Sequence, residues 1–181
     1  MSRVLIIATD GFEQSELTGP RDALQQAGFE TVIASPKAGE IKGWQHTDWG
    51  DSVGVDKTLD EVEVGSYDAL VLPGGQMNPD NLRLEPRAIE LIKGFVMARK
   101  PVAAICHGPW LLAEADVLDG RKVTSWPSIR TDLRNAGAEV VDEEVVVDGN
   151  LITSRKPADI PAFAKAIIAA LQEGMAVSAE I

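Results

Sequence analysis

The sequence predicts an α/β fold, a three-layer αβα sandwich with a mostly parallel sheet between two layers of helices. Short, continuous runs of apolar β-forming residues recur along the chain, and such runs are typical of strands buried on both faces. Segments with helical spacing separate these runs, which favours parallel pairing with helices on both sides of the sheet. The 181 residues, of which 45% are hydrophobic, suffice for one core and show no repeat or linker. We therefore expect one domain over residues 1–181, with the last few residues loose.

Three core strands and one helix are predicted in the first half of the chain. The strands are expected at residues 3–9, 31–36 and 67–72. The chain breaks at Gly11, and helical spacing then continues to Gly28, a residue suited to the cap that ends a helix. Between residues 37 and 64 several glycines weaken the pattern, and we expect irregular loops with short hairpin strands there.

The second half continues the alternation of helices and strands. A helix with Pro86 near its start precedes a fourth core strand at residues 101–106, and that strand turns directly into another helix. The remaining predicted elements are a strand at 121–126, a short helix at 127–137, two strands that turn at Asp148-Gly149-Asn150, and a closing helix at 157–174.

Composition and charge exclude several classes of protein. The chain has 17 Lys and Arg residues against 28 Asp and Glu residues, and its net charge of −11 argues against binding to a nucleic-acid backbone. The mean hydropathy is −0.02, and no apolar run approaches the roughly 20 residues of a membrane span, so we expect no membrane contact. Because the early residues do not resemble a signal peptide, we expect a soluble protein in the cytoplasm.

The chain also lacks the motifs that bind common cofactors. A single cysteine excludes an internal disulfide and a Cys-rich zinc or iron–sulfur site. Neither a phosphate-binding GxxxxGK[ST] loop nor a GxGxxG after the first strand is present. We therefore expect neither a metal nor a cofactor.

The lone cysteine falls where open α/β sheets bind ligands, beyond the carboxyl end of a strand. Cys106 ends the fourth core strand in the segment AAICHGPWLL, with Ala104 two residues before it and Gly108 two residues after it. Small residues at these positions permit a nucleophile elbow, a sharp bend that holds the nucleophile strained and exposed. We expect the following helix N-terminus to lower the pKa of the thiol. The alternative is a small buried core residue, as most lone cysteines are.

His107 is the histidine next to the candidate nucleophile. It can serve as general base to the thiol, or as proton donor to a leaving group, if the elbow turns its ring inward. Otherwise it is a surface residue that starts a helix. The only other histidine, His46, lies in the loop GWQHTDWG. There two interpretations stay open, a solvated loop residue or a residue at the rim of the site.

Two further strand ends supply candidate residues. Gly74 and Gly75 follow the third core strand, and a Gly-Gly turn can aim a backbone N–H into the cleft. Paired with the N–H of His107 it would form an oxyanion hole, although an ordinary turn would also explain the two glycines.

Glu13 and Glu16 lie near the start of the first helix, where acidic residues commonly complement the helix dipole. Alternatively, one of the two carboxyls reaches Cys106. If protonated, that carboxyl could donate a hydrogen bond to the thiolate or carry a proton to a substrate.

Four segments together resemble a known family, namely TDGFEQSELTGP, ALVLPGG, AICHGPWLL and AGAEVVDEEVVVDGNLITSRKPADIPAF. They are similar, in register over residues 3–171, to the PfpI-type intracellular proteases and deglycases of the ThiJ/PfpI superfamily. The resemblance implies the flavodoxin-like fold that this superfamily shares with class I glutamine amidotransferases, including a nucleophile elbow. Residues 44–51, with two tryptophans, are the part least similar to the family.

The resemblance also implies roles for individual residues. Cys106 matches the nucleophile, and His107 matches its histidine partner. Glu16 matches the glutamate that forms a hydrogen bond with the thiol. Gly75 and the backbone of His107 match the oxyanion hole.

In the PfpI subgroup a carboxylate from a neighbouring subunit, located shortly after the PGG turn, orients the histidine. The nearest candidate in this chain is Asp80, a shorter acid than the glutamate of the prototype, and Glu85 is the second choice. The resemblance therefore implies self-association into a dimer or a larger oligomer.

From these residues and this resemblance we expect a cysteine hydrolase that protects against stress and needs no cofactor. Its substrates would be glyoxal, methylglyoxal and their adducts on amines and thiols, or else peptides. The first class is favoured, because an aldehyde is more electrophilic than an amide and fits a small pocket. No histidine follows His107, so the His-x-Glu of true glutamine amidotransferases is absent and ammonia release from glutamine is not expected.

Two other interpretations of Cys106 stay open. One is a redox-sensing or chaperone-like stress protein in which Cys106 is oxidised without turnover. The other is an inert α/β scaffold with a buried thiol.

Overall fold

A computed structural model describes residues 1–179, and the loose residues that we expected at the end of the chain lie outside that range. The strands, in chain order, are β1 (Arg3–Ile7), β2 (Phe12–Glu13), β3 (Glu30–Ser35), β4 (Glu40–Gln45), β5 (Asp48–Gly54), β6 (Lys57–Thr58), β7 (Ala69–Leu72), β8 (Val102–Ile105), β9 (Lys122–Val123), β10 (Glu139–Val140), β11 (Val145–Asp148) and β12 (Leu151–Ser154). The α-helices are α1 (Gln14–Gln26), α2 (Met77–Leu82), α3 (Pro86–Met97), α4 (Trp110–Glu114), α5 (Arg130–Asn135) and α6 (Ile160–Ala179).

Seven of these strands form the central sheet, in the order β11-β12-β8-β7-β1-β3-β6. Every neighbouring pair is parallel except the hairpin of β11 and β12. That hairpin turns at Gly149, as predicted, where φ is +56°. Because β1, β7 and β8 lie side by side at the centre, their carboxyl ends meet at one edge of the sheet. The predicted, mostly parallel sheet is confirmed.

Helices cover both faces of the sheet, since residues along each strand alternate between two cores. Leu5 and Ile7 belong to the core under α3, α4 and α5, whereas Val4 and Ile6 belong to the core under α1 and α6. Burial on both faces requires apolar side chains at successive positions, which produces the continuous apolar runs in the sequence. The three-layer αβα sandwich is therefore confirmed.

Residues 37–64 are more regular than we expected. The strands β4 and β5 form an antiparallel hairpin of six and seven residues, in which Trp44 is paired with Trp49. The short strand β2 pairs in parallel with β4 through Phe12 and Gly43, and through Glu13 and Trp44. This pairing satisfies the backbone of β4 and fixes the hairpin beside the start of α1, so the glycines in this region did not prevent regular structure.

The structure also differs from the prediction on either side of Cys106. A short helix, α2, follows the PGG turn and contains Pro79 in its first turn, where a missing N–H costs no helical hydrogen bond. The predicted strand at 121–126 shortens to β9, because the N–H of Trp126 donates to the carbonyl of Cys106 at 2.9 Å instead of to a strand. None of the helices within residues 1–179 combines the length and apolar character needed to cross a bilayer.

Candidate active site

The loops after β1, β7 and β8 enclose a cleft of about 560 Å³ at the carboxyl edge of the sheet. Its lining residues are Gly11, Glu13, Glu16, Trp44, His46, Gly75, Gln76, Met77, Cys106, His107, Trp126 and Pro157. The cleft thus brings together six residues singled out in the sequence, namely Cys106, His107, Glu13, Glu16, Gly75 and His46. Asp80 and Glu85 do not line it.

Cys106 occupies a strained turn directly after β8. Its φ of +62° lies in the left-handed region, which a residue with a Cβ adopts only when its surroundings enforce it. The N–H of Cys106 donates to the carbonyl of Ser154 at 3.0 Å, and the N–H of Gly108 donates to that of Ile105 at 2.8 Å. A Cβ on Gly108 would come within 2.6 Å of the carbonyl oxygen of Leu72, so only glycine fits there. The predicted elbow is therefore present in the fold.

Gly75 brings the loop after β7 close to the sulfur. Its φ is +83°, and a Cβ there would lie 2.5 Å from the carbonyl oxygen of Gly11 and 2.7 Å from the nitrogen of Glu13. In this conformation the backbone N–H of Gly75 donates to the Cys106 thiol, as does the N–H of His107. Two preorganised donors thus point at the atom that would become the nucleophile, an arrangement that can also hold an adjacent oxyanion.

Glu16 is fully buried behind the thiol. Its Oε1 accepts a hydrogen bond of 3.1 Å from the N–H of Gly74, and its Oε2 has no partner among the described residues. Burial first, and the charge of Glu13 second, raise the pKa of Glu16 to about 8. The contact with the Cys106 thiol lowers this pKa by less than burial raises it. The carboxyl is consequently neutral at pH 7 and can donate a hydrogen bond.

The thiol itself differs from our expectation that a helix N-terminus would lower its pKa. Burial, and then the charge of Glu16, raise the pKa of Cys106 well above its usual value, while the N–H groups of Gly75 and His107 lower it. The expectation was wrong because α4 begins only at Trp110 and spans five residues. Negative charges on both Glu16 and Cys106 would repel each other in a buried site, so at most one of the two groups is ionised at a time.

His107 turns its ring inward and contacts the sulfur. Its Nδ1 lies 3.2 Å from Sγ of Cys106, and its Nε2 lies 3.5 Å from Oγ of Ser128. The ring stacks on Trp126 with centroids 5.9 Å apart, and it meets Trp110 edge-on at 5.2 Å. Only 4% of the residue is exposed, and this burial lowers the pKa of His107. His107 is thus a neutral base beside the thiol and not a surface residue.

Sequence reasoning missed three neighbours of His107, namely Ser128, Trp110 and Trp126. A signal for two of them was present, because Trp126 ends the strand predicted at 121–126 and Ser128 follows it, which puts both at the ligand-binding edge of the sheet. Trp110 carried no such signal, since a large apolar residue at the start of a helix usually packs into the core.

The two carboxylates proposed to orient His107 lie outside the cleft. Asp80 is exposed on α2, and Glu85 is exposed just before α3. Among the described residues, neither forms a hydrogen bond with His107. Because the resemblance assigns this role to a second copy of the chain, the prediction for Asp80 and Glu85 stays a prediction.

The β4–β5 hairpin brings His46 to the rim of the cleft, so this histidine is a rim residue. His46 has a φ of +57° in the turn, and its N–H lies 3.5 Å from Oε1 of Glu13. Trp44 lines the cleft and donates from Nε1 to the carbonyl of His46 at 2.9 Å. Trp49 packs edge-on against Trp44 at 5.4 Å and is 45% exposed. Within residues 1–179, no group of three or more His, Cys, Asp and Glu side chains is placed to hold a metal.

Comparison with known proteins places this site in a family context. The model of the DJ-1/PfpI family matches residues 2–170. General stress protein 18 of Bacillus subtilis is 47% identical over 173 residues, covering 94% of this chain and 98% of that protein. Protein/nucleic acid deglycase 2 of Escherichia coli is 48% identical over 164 residues, covering 89% and 92%. The putative cysteine protease YraA of Bacillus subtilis is 44% identical over 161 residues, covering 89% and 93%.

A solved structure shows the same architecture. The crystal structure of DJ-1beta from Drosophila melanogaster superposes with a TM-score of 0.85 at 31% identity, covering 96% of this chain and 95% of that one. Sequence similarity over nearly the whole length and a shared αβα sandwich therefore agree. This chain belongs to the DJ-1/PfpI family.

Proposed function

We propose that the protein is a cysteine hydrolase that converts glyoxal, methylglyoxal or their adducts on amines and thiols into hydroxy acids without a cofactor. The observation that carries this proposal is the set of groups around Sγ of Cys106. Two backbone N–H groups donate to it, and Nδ1 of His107 lies 3.2 Å away. The carboxyl of Glu16, which is neutral at pH 7, completes the set.

The first step uses each of these groups. Sγ of Cys106 bonds to the aldehyde carbon, and the thiol proton moves to Nδ1 of His107. The carbonyl oxygen gains the negative charge and is held by the N–H groups of Gly75 and His107. His107 then returns its proton to that oxygen, which gives a neutral hemithioacetal. Glu16 in its neutral form supports the developing thiolate by a hydrogen bond and adds no repelling charge.

The second stage rearranges the adduct and releases it. His107, neutral again, removes the proton from the former aldehyde carbon and returns it to the neighbouring carbonyl carbon. The hydroxyl proton on the former aldehyde carbon passes to the oxygen of that neighbouring carbon, which leaves a 2-hydroxyacyl thioester on Cys106. The former aldehyde carbon is oxidised and its neighbour reduced, so no external oxidant is required. Water then adds to the thioester, the carbon–sulfur bond breaks, and the hydroxy acid leaves with the thiol restored. For methylglyoxal, the sum is the addition of one water to give lactate.

The dimensions of the cleft support a small substrate. At about 560 Å³ it lies within the usual range for small-molecule sites. Trp44 and Trp126 line it, so two aromatic rings are available to contact a dicarbonyl or its adduct on one side chain. An aldehyde also needs less activation than an amide, which suits a thiol whose pKa is raised.

A peptidase is the second candidate function, favoured by the identity of 44% to a protein named a putative cysteine protease. The same sulfur and the same two N–H groups could attack an amide carbonyl, with His107 protonating the leaving amine. A folded or extended peptide would, however, have to pass the rim formed by Trp44 and His46.

Incubation with methylglyoxal, followed by assay of lactate, tests the proposal. We expect lactate formation by the natural protein, none above background by Cys106→Ala, and retention of activity by His46→Gln, the control for His107→Gln. If the natural protein forms no lactate from methylglyoxal, the proposed glyoxalase activity is contradicted. Turnover of casein or small amide substrates would establish the peptidase instead.

The redox-sensor and scaffold alternatives are tested in the same preparation. Intact mass after mild peroxide treatment would show oxidation of Cys106, and oxidation without any turnover would favour the sensor. An inert scaffold predicts alkylation by iodoacetamide that rises only at high pH and does not change in His107→Gln. The strained elbow and the convergent N–H groups argue for a reactive thiol.

We further propose that the protein acts as a dimer or larger oligomer in a stress-protective role. Asp80 is exposed on α2 and Glu85 is exposed just before α3, where a second copy could reach them. The stress-protective role rests on the similarity to general stress protein 18. Sedimentation of the natural protein and of Asp80→Asn tests the first part of this proposal.

A further inference from the structure

We propose that Ser128 is a positioning residue for His107. Its hydroxyl oxygen accepts a hydrogen bond from Nε2–H of His107, and Nδ1 then faces Cys106 without a proton and can accept one. This inference deepens the proposed function and rests on it for the role of His107 as a base. It assigns to a residue of the same chain the orienting task that the family resemblance gives to a carboxylate of a second subunit.

The contacts of the imidazole ring carry the proposal. One ring nitrogen is 3.2 Å from Sγ of Cys106, and the other is 3.5 Å from Oγ of Ser128. Trp126 stacks on the ring and Trp110 meets it edge-on, so the ring cannot turn freely. Hydrogen bonds of catalytic groups are often long in the absence of substrate and shorten when the site is occupied. Ser128 is thus the partner of Nε2, whereas the other contacts of the ring are with Sγ of Cys106 and with the indole rings of Trp110 and Trp126.

The tautomer decides which role His107 can take. A neutral imidazole carries its proton on one nitrogen, and the hydrogen bond at the other end selects which one. When Nε2–H donates to Ser128, the lone pair on Nδ1 faces the thiol and can take its proton. With the proton on Nδ1 the ring could only donate to the sulfur, and the thiol proton would have no acceptor at His107.

The position of Ser128 is itself fixed by the elbow. Ser128 lies in a 3-10 turn at residues 127–129, directly after Trp126, whose N–H donates to the carbonyl of Cys106 at 2.9 Å. Pro127 restricts the backbone of this turn further. Ser128 is exposed, so its hydroxyl can donate to water while it accepts from His107. The buried ring thereby gains a connection to solvent.

Several titratable and charged groups lie on the elements near His107, although burial alone accounts for its lowered pKa. Element by element, they are Cys106 at the elbow, Glu13 and Glu16 at the start of α1, His46 in the β4–β5 turn, Arg83 over the ring of Trp110, and Asp132, which accepts the Nε1–H of Trp110. None of these groups replaces Ser128 at Nε2 among the described residues.

The experiment reads the tautomer directly. The chain has two histidines, so a His46→Gln background leaves the ring of His107 alone in long-range proton–nitrogen NMR spectra. In that background we compare the parent with Ser128→Ala, Ser128→Thr and Asp80→Asn. The matched control is Ser125→Ala, because the hydroxyl of Ser125 donates to the carbonyl of Trp126 and does not touch His107. The same proteins are then alkylated with iodoacetamide across a range of pH.

We expect the parent to carry its proton on Nε2, and Ser128→Ala to show a mixture of the two tautomers. Alkylation of Cys106 at neutral pH should fall roughly 3- to 10-fold in Ser128→Ala, less than the roughly 100-fold or more that a general base contributes, because the base is disturbed and not removed. Loss of the acceptor for Nε2–H also disfavours the imidazolium, so the pKa of His107 should move lower still. Ser128→Thr should restore both readouts, and Ser125→Ala should leave both unchanged.

Parent-like tautomer and alkylation in Ser128→Ala would overturn the proposal, as would a loss confined to Asp80→Asn. The second result would assign the orienting role to the carboxylate of another copy. Neither readout requires turnover, so a protein that forms no lactate but shows the Ser128→Ala effect would contradict the proposed function and leave this inference standing.

Discussion

The backbone N–H of Gly74 donates a hydrogen bond of 3.1 Å to Oε1 of Glu16, and it joins the loop after β7 to the first turn of α1. Because this N–H needs an acceptor and the surroundings are apolar, the carboxyl is held in place whether or not it is charged. A Cβ on Gly74 would lie 2.5 Å from Oε1 of Glu16 and 2.7 Å from Cβ of Cys106. The bond therefore positions a protonated acid beside the Cys106 thiol.

Replacement of Glu16 by Gln should leave the fold intact and reduce turnover. The amide keeps an acceptor for Gly74, but its N–H is a weaker hydrogen-bond donor to the developing thiolate than the neutral carboxyl, and we expect lactate formation to fall roughly 100-fold. Glu13→Gln is the matched control, since Glu13 lines the same cleft in a less buried position. Steady-state assays with methylglyoxal measure both variants. Half or more of the natural activity in Glu16→Gln would contradict the support of the thiolate by the Glu16 carboxyl.

The pH dependence of stability should carry the signature of Glu16. The folded state holds the proton up to about pH 8, whereas the unfolded chain releases it near its ordinary value of 4.5. More protons are bound in the folded state across this window, so the free energy of unfolding falls as pH rises. Urea unfolding of the natural protein and of Glu16→Gln, at several pH values between these limits, measures the effect. The natural protein should lose stability relative to the variant with rising pH, and parallel curves would refute the raised pKa.

The rate of turnover should follow a bell-shaped pH profile. Activity requires neutral His107, whose pKa lies below its ordinary 6.5, and neutral Glu16, whose pKa is about 8. The acid limb should therefore lie below pH 6.5, and the rate should fall again as Glu16 ionises and repels the thiolate. Measurement of kcat/KM for methylglyoxal across this range tests the profile. The profile of Glu16→Gln should lack the alkaline limb. If the alkaline limb persists in this variant, it arises from the ionisation of another group.

Substitution of Gly75 by Ala should abolish turnover and destabilise the fold. The added Cβ would lie 2.5 Å from the carbonyl oxygen of Gly11 and 2.7 Å from the nitrogen of Glu13. A side chain at a φ of +83° also strains the backbone. We expect a loss of about 2–4 kcal/mol of stability. Gly28→Ala is the control, because its φ is +90° with no heavy atom within 4 Å of the new Cβ. That variant should cost about 1 kcal/mol and keep its activity. Equal effects of the two variants in unfolding and lactate assays would argue against a close approach at Gly75.

Trp44 should influence which carbonyl compounds the cleft accepts. Its ring lines the cleft, whereas Trp49 packs against it from outside. Trp44→Ala should lower kcat/KM for phenylglyoxal about 10-fold, because an aromatic contact worth about 1 kcal/mol or more is lost. The kcat/KM for glyoxal, which has no ring, should change little. Trp49→Ala serves as the control and should preserve the ratio of the two substrates. A similar change in this ratio for both variants would show that the hairpin as a whole, and not Trp44, sets the preference.

Much of this architecture could be predicted because the information is local. The runs that form β1, β7 and β8 are buried on both faces, so each position had to be apolar. The elbow at Cys106 required small neighbours, which the sequence displays as Ala104 and Gly108. Glycines at turns with positive φ, such as Gly28 and Gly149, are likewise visible one residue at a time.

Other features depended on contacts between distant segments. Short hairpin strands were predicted in the region 37–64, but they are more regular than expected, because β2 gave β4 a partner that the sequence did not indicate. The short helix α2, six residues that follow the PGG turn, was not predicted. The role of Asp80 depends on a second copy, which the fold of one chain does not determine.

The amino-acid sequence by itself determined the αβα sandwich, the edge at which the site lies, and the candidates Cys106, His107, Glu16 and Gly75. Only the tertiary structure decided their chemical state. A pKa depends on desolvation and on neighbours brought together by the fold, so burial raised the pKa of Glu16 and Cys106 where the helix terminus alone predicted a lower thiol value. The contact between Ser128 and His107, 21 positions apart, exists for the same reason, since it depends on how the turn after β9 folds back over the elbow.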